Sequence, residues 1–190
     1  MTFDPAAASL CLRLCRIAYK DNPEKHLDRI GVTFLAGYDR AGTQAFLAES
    51  KGVLFLAGAG TNEFKDIGTD IYYRKTDFPG GGRVHEGFLD AFKAIRDDIS
   101  LDLIHFKKKP KIATGHSLFG AIAQEAAVDF NFDACYVFGS PKVGNKDFVA
   151  RLAMPVFRFE NRLDPVTWVP PPNSPWQAIH AWRNGRAPTL

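Results

Sequence analysis

Cysteine is scarce in this chain, and the three present, Cys11, Cys15 and Cys135, are too few and too odd in number for a disulfide framework. Cys11 and Cys15 stand four apart on an expected helix and supply two metal ligands at most. With no partner pair in view, they read as buried free thiols rather than a metal site. No histidine has metal-ligand spacing, and no cofactor is expected. Charge of one sign is also lacking: the formal net charge is +3, too small to argue for a nucleic-acid partner. The run Lys107-Lys-Lys-Pro-Lys111 reads as a solvated loop, with at most a weak, transient attraction to an anionic lipid interface. No apolar run is long enough to span a bilayer. The start, Met1-Thr-Phe-Asp-Pro, has no basic stretch ahead of an apolar block, so a cytoplasmic setting is expected, or a secreted one if a leader has been removed. There is no internal repeat.

What is present is an ordinary globular composition, 46% hydrophobic and 24% charged over 190 residues, which predicts one domain, 1–190, with a sizeable core. Asp4-Pro5 opens a helix that runs to about Tyr19. Three strand-like segments follow: Ile30–Tyr38, Thr43–Glu49 and the wholly apolar Val53–Ala57, with turns at Asp39–Gly42 and Lys51-Gly52. The first two read as an antiparallel pair, the third as a central strand covered on both faces. Ile71–Lys75 is a further strand-like stretch. Phe78–Gly82 is a loop, and Glu86 to about Phe106 the longest helix, with Phe88, Phe92, Ile95, Ile99 and Leu103 on one face. Strand Ile112–Thr114, helix Leu118–Asp129, strand Ala134–Phe138, a short helix Lys146–Leu152 and strand Val156–Phe159 come next, then a proline-stiffened loop. Strands alternating with helices predict an α/β fold, a mostly parallel central sheet with an antiparallel N-terminal part and helices on both faces.

The stretch Lys111-Ile-Ala-Thr-Gly-His-Ser-Leu-Phe-Gly120 reads as strand, sharp turn and helix, the arrangement that lifts a nucleophilic serine above the sheet in α/β-hydrolases. A helix N-terminus behind Ser117 offers backbone N–H groups to a developing oxyanion. The usual Gly-x-Ser-x-Gly is broken, because Phe119 takes the place of its last glycine. Serine needs a base, and the base an orienting acid, in the chain order serine, acid, histidine. Only His180 follows Ser117. Of the acids downstream, Glu125, Asp129 and Asp147 fall on expected helices, where a solvated face is the reading. Asp133 sits at the wrong end of the sheet. Asp164 follows the last strand at its carboxyl end, where ligands bind in open α/β sheets. The candidate triad is therefore Ser117, Asp164 and His180. His116 should point away from the site, His85 should make structural hydrogen bonds at the start of the long helix, and His26 and His105 read as surface residues.

Several ordered motifs give the chain a family resemblance. Val84-His-Glu-Gly-Phe88, Gly115-His-Ser-Leu118, Tyr136-Val-Phe-Gly-Ser-Pro-Lys-Val-Gly-Asn145, Phe157-Arg-Phe-Glu-Asn-Arg-Leu-Asp-Pro-Val166 with Val169-Pro-Pro171, and the placing of His180 resemble the class 3, fungal-type, lipases. The likeness runs from about Val53 to His180. It implies an α/β-hydrolase fold and cleavage of carboxylic esters, often of acylglycerols, through an acyl-enzyme. Ser117 would be the nucleophile, His180 the base and then acid, and Asp164 the orienting carboxylate. The oxyanion hole would use the Leu118 N–H and Thr61, which follows the family's Phe-Arg-Gly position. Asn62–Asp70 would stand where relatives carry a lid. Two departures are paired in our reading: Gly58-Ala59 stands where the family has Phe-Arg, and Phe119 where it has glycine. Bulk leaves one side and returns on the other, so Gly58, Ala59 and Phe119 are read as reshaping the oxyanion or acyl pocket. The competing reading is a weakly active or inactive relative that binds lipid without turnover.

Overall fold

The computed structural model describes residues 1–60 and 74–161. Thr61, the expected lid segment Asn62–Asp70, most of the strand-like Ile71–Lys75, Asp164, His180 and the proline-rich stretch lie outside the described residues.

Helix α1 (Pro5–Ala18) begins as its sequence dictates. Asp4 accepts the Ala6 N–H at 2.9 Å, and Pro5 fills a first-turn position that needs no donor. Helix α2 (Pro23–Asp28) has no counterpart in the sequence reading; six residues with one buried side chain, Leu27, leave no periodicity to detect. Its end closes on itself through Ile30 and Gly31 N–H groups bonded to the Leu27 and Asp28 carbonyls. Strand β1 accordingly starts at Thr33, not Ile30, and runs through the expected turn to Arg40.

Strands β1 (Thr33–Arg40), β2 (Thr43–Ser50) and β3 (Val53–Ala59) form an antiparallel meander. Both turns are two residues long. Ala41-Gly42 has φ of 49° and 76°, and Lys51-Gly52 has 50° and 80°, the double positive φ of hairpin turns whose twist matches the strands. The first is tighter than the four-residue turn expected from Asp39–Gly42. Beyond β3 the sheet turns parallel. Among the described residues its order is β1-β2-β3-β6-β7-β8, with β6 (Lys111–His116), β7 (Ala134–Phe138) and β8 (Val156–Phe159) all parallel to β3. Strand β3 is thus the junction, antiparallel on one edge and parallel on the other. A small hairpin, β4 (Lys75–Asp77) with β5 (Arg83–His85), lies apart.

Alternation along the strands divides the core in two. Leu47, Leu54, Leu56, Ala113 and Val137 face a layer made by α3 (Glu86–Leu103) and α4 (Leu118–Asp129). Phe46, Phe55, Ala57, Ile112 and Tyr136 face α1. Helix α3 continues into a single 3₁₀ turn, Ile104–Phe106. Helix α5 is only Lys146–Val149, shorter than the expected Lys146–Leu152. The Arg151 and Leu152 N–H groups tighten onto Phe148 and Val149 instead. The Arg151 guanidinium is drawn away to the carbonyls of Pro79 and Gly81, at 2.6 and 3.1 Å.

Candidate active site

Strand β6 ends at His116, and the chain reverses into α4 through one residue, Ser117, at the carboxyl edge of the parallel strands. Ser117 has φ 55° and ψ −129°, a region that L-residues rarely occupy and that stores strain at functional sites. Its N–H donates to the Phe138 carbonyl at 3.0 Å, which ties the elbow to the end of β7. The reversal needs small neighbours. A Cβ on Gly115 would run into the Phe119 carbonyl and lie 2.6 Å from the Gly120 nitrogen; one on Gly120 would lie 2.6 Å from the Ser140 Cβ. Only glycine lets α4 fold back this closely over β6 and β7. The elbow is further braced from α4, where the buried Gln124 amide donates to the Gly120 carbonyl at 2.9 Å and to Ser140 Oγ at 3.2 Å. Arg158 on β8 donates to the Ser140 carbonyl at 2.9 Å.

Position 119 is where the usual small residue is missing. The Phe119 side chain is wholly buried and packs on β3: a Cβ at Gly58 would fall on ring carbons Cδ2, Cε2 and Cζ. The ring therefore fills the space that a side chain at 58 would otherwise take. Ala59 is not part of this exchange. One residue further along the strand, it faces the opposite layer, with α1. Since the ring has no exposed surface, Phe119 bears on the elbow from beneath, through the backbone it supports.

The end of β3 lies against the elbow. A Cβ on Gly60 would be 3.2 Å from the Leu118 nitrogen, 3.2 Å from the His116 carbonyl and 2.9 Å from the Tyr19 hydroxyl. Tyr19 closes α1; its hydroxyl accepts the Gly60 N–H at 2.9 Å and shares a 3.0 Å hydrogen bond with His116 Nδ1. The imidazole next to the serine is thus turned toward α1 rather than the hydroxyl. Sequence reasoning does not single out Tyr19, because a tyrosine closing a helix carries no motif.

His85 caps α3, its Nδ1 accepting the Gly87 N–H at 3.2 Å. Asp133 is at the amino end of β6, accepting the Lys111 N–H at 2.8 Å. Asp129 pairs with Arg96 at 2.8 Å. The expectation of a solvated face fails for Glu125, which is fully buried under α3 with no hydrogen-bond partner for either carboxyl oxygen among the described residues. Burial drives its carboxyl well above the usual carboxylate range; Lys93 pulls it down and Asp90 pushes it up. Burial thus favours its neutral form, in the core and far along α4 from Ser117. The described residues bring together Ser117, Leu118, Phe119 and Gly58. Among them no group of three or more His, Cys, Asp or Glu side chains is placed to hold a metal ion, and no helix is long and apolar enough to cross a membrane.

Residues 55–174 match the family model described as lipase (class 3). A lipase of Rhizopus niveus is 30% identical over 143 residues, covering 65% of this chain and 36% of that protein. Secreted mono- and diacylglycerol lipase 1 of Fusarium solani is 36% identical over 107 residues, covering 50% and 32%. The chain thus spans about a third of the length of these relatives. Among solved structures, lipase II from Rhizopus niveus superposes with a TM-score of 0.69 at 25% identity, covering 87% of this chain and 72% of that one. A triacylglycerol lipase whose structure is described as having a serine protease triad at its catalytic centre gives 0.76 at 21%, covering 87% and 74%. The central sheet and its helices are those of the α/β-hydrolase fold.

Proposed function

The chain belongs to the class 3 lipase family, and from that premise we propose that it hydrolyses carboxylic esters of the acylglycerol class through an acyl-enzyme on Ser117. The observation that carries this is the backbone of Ser117, held at φ 55° between β6 and α4 at the carboxyl edge of the parallel strands. A non-glycine residue is kept there when its side chain must project from the tip of the turn.

In this reading, His180 removes the proton from Ser117 Oγ as the oxygen attacks the ester carbonyl, and Asp164 orients the imidazole. The carbonyl oxygen becomes an oxyanion that accepts hydrogen bonds from the Leu118 N–H and from Thr61. The tetrahedral intermediate collapses, His180 returns the proton to the departing alcohol, and the acyl group remains on Ser117. Water, deprotonated by His180, then attacks the acyl carbon; the second tetrahedral intermediate expels Ser117 Oγ, which takes the proton back from His180, and the carboxylic acid is released. The roles of Thr61, Asp164 and His180 rest on the family resemblance. Gly58 and Phe119 are proposed to set the elbow's backbone jointly. Lipid esters are the proposed substrate partners, met at a lipid interface through transient contact. The secreted setting is the one we propose, supported by the name of the Fusarium relative.

Hydrolysis of p-nitrophenyl butyrate and palmitate tests the reading. Turnover should fall to background in Ser117→Ala, and an alkyl fluorophosphonate should add its mass to the parent protein and not to the variant. Equal rates in the parent and Ser117→Ala, with no label on either, would refute the serine mechanism and favour a binding relative.

A further inference from the structure

We propose that Tyr19 is a positioning residue for the oxyanion-binding backbone, clamping the end of β3 against the elbow; this rests on the serine-hydrolase reading above. Three chain segments meet at its phenol. Gly60, the residue that follows β3, donates its N–H to the Tyr19 hydroxyl at 2.9 Å. His116, immediately before the serine, places Nδ1 3.0 Å from the same oxygen. Helix α1 brings the phenol there from outside the sheet, with Tyr19 at its terminus. The rings of Tyr19 and His116 meet edge to face, centroids 5.9 Å apart.

The contact does not belong to the hydrophobic core. Tyr19 is 42% exposed and belongs to neither core layer. What it contributes is directed: one oxygen that holds the Gly60 backbone N–H and the His116 imidazole at once. The space between them is closed, since even a methyl group at Gly60 would press on the Leu118 nitrogen and the His116 carbonyl at 3.2 Å. Leu118 supplies one proposed oxyanion N–H, and the chain leaves Gly60 directly for the residue proposed to supply the other. Oxyanion donors act because they are already aimed before charge develops, so a group that holds Gly60 against the Leu118 N–H acts on the transition state and not on ground-state binding. The phenol is suited to this. Partial burial raises it above its ordinary range while the Gly60 N–H opposes the rise, so it stays neutral and keeps its O–H.

The test is Tyr19→Phe, which retains the ring and removes the oxygen, assayed beside the parent and Ser117→Ala at a temperature well below every melting transition. The expected result is a fall in kcat of about tenfold, the size of one hydrogen bond's net contribution, with KM unchanged. Inhibition by butylboronic acid, whose tetrahedral adduct needs the same N–H groups, should weaken by a similar factor. The Gly60 amide should exchange faster with solvent in the variant. A Ser117-dependent rate equal to the parent's would overturn the Tyr19 role alone. A loss of rate matched by a collapse of the melting transition would overturn it too, leaving Tyr19 merely structural. A parent rate no higher than that of Ser117→Ala would instead sink the hydrolase reading, and the Tyr19 role with it.

Discussion

Phe119 and Gly58 behave as one unit divided between a helix and a strand. The ring at 119 sits where any side chain at 58 would project, so neither position has a meaning without the other. Truncating Phe119→Gly should leave a void beneath the elbow and destabilise the fold by about 3–5 kcal/mol, as large deletions from well-packed cores do. Gly58→Phe alone should be worse tolerated, because the ring has nowhere to go. The double variant should recover much of the loss, and urea unfolding of all four proteins would read the coupling directly. Additive losses would show that the two positions are independent. The exchange of bulk is legible in the sequence because each residue breaks a motif at a spot where size matters. The place of Ala59 is less so: adjacent strand residues point to opposite layers, and which layer each faces depends on the register with β2 and β6.

Helix α4 shows what happens when a helix is enclosed on all sides. Residues from Leu118 to Val128 are all buried, so the polar stripe that normally tells which face meets water is gone. That is why its boundaries are readable from the sequence while Glu125 is misread as solvated. Elements with long periodic or wholly apolar runs are readable in the same way: α3, β7 and β8 stand where the pattern puts them. Helix α2 escapes it, being too short for a period, and α5 is read but drawn too long, because local turn bonds end it at Val149. Glu125 carries a consequence for pH. Its carboxyl titrates higher in the folded protein than in the unfolded chain, because burial disfavours the charge. The folded state therefore holds the proton more tightly, and stability is fully present below the ordinary glutamate range. It declines as pH climbs from there toward the raised folded value. Glu125→Leu should raise the melting temperature at pH 8 by more than at pH 4, flattening the profile. A gain that is the same at both pH values would mean that Glu125 is charged in the fold.

At the scale of the whole molecule, two apolar layers enclose one sheet, and the three thiols sit inside them. Burial pushes Cys11 and Cys15 up to about 12, and Cys135 is raised as well. A thiol so far from ionising is a poor nucleophile and a poor target, which fits free cysteines in the proposed extracellular setting. Native protein should show no reaction with Ellman's reagent, and all three thiols should react once guanidinium unfolds it; fast labelling of the native state would show that the α1 layer opens readily. The junction at β3 has a further bearing, on how the chain is made. Strands β1 to β3 are joined by two-residue turns, so the meander is local and can close within microseconds. The partner for its other edge, β6, lies beyond residues 60–110. During synthesis that stretch takes roughly 3–10 s to emerge. For that interval the apolar strand Val53–Ala59 presents an unpaired edge, a template for other chains, and the nascent protein depends on a chaperone or on dilution until the strand that carries the serine arrives to cover it.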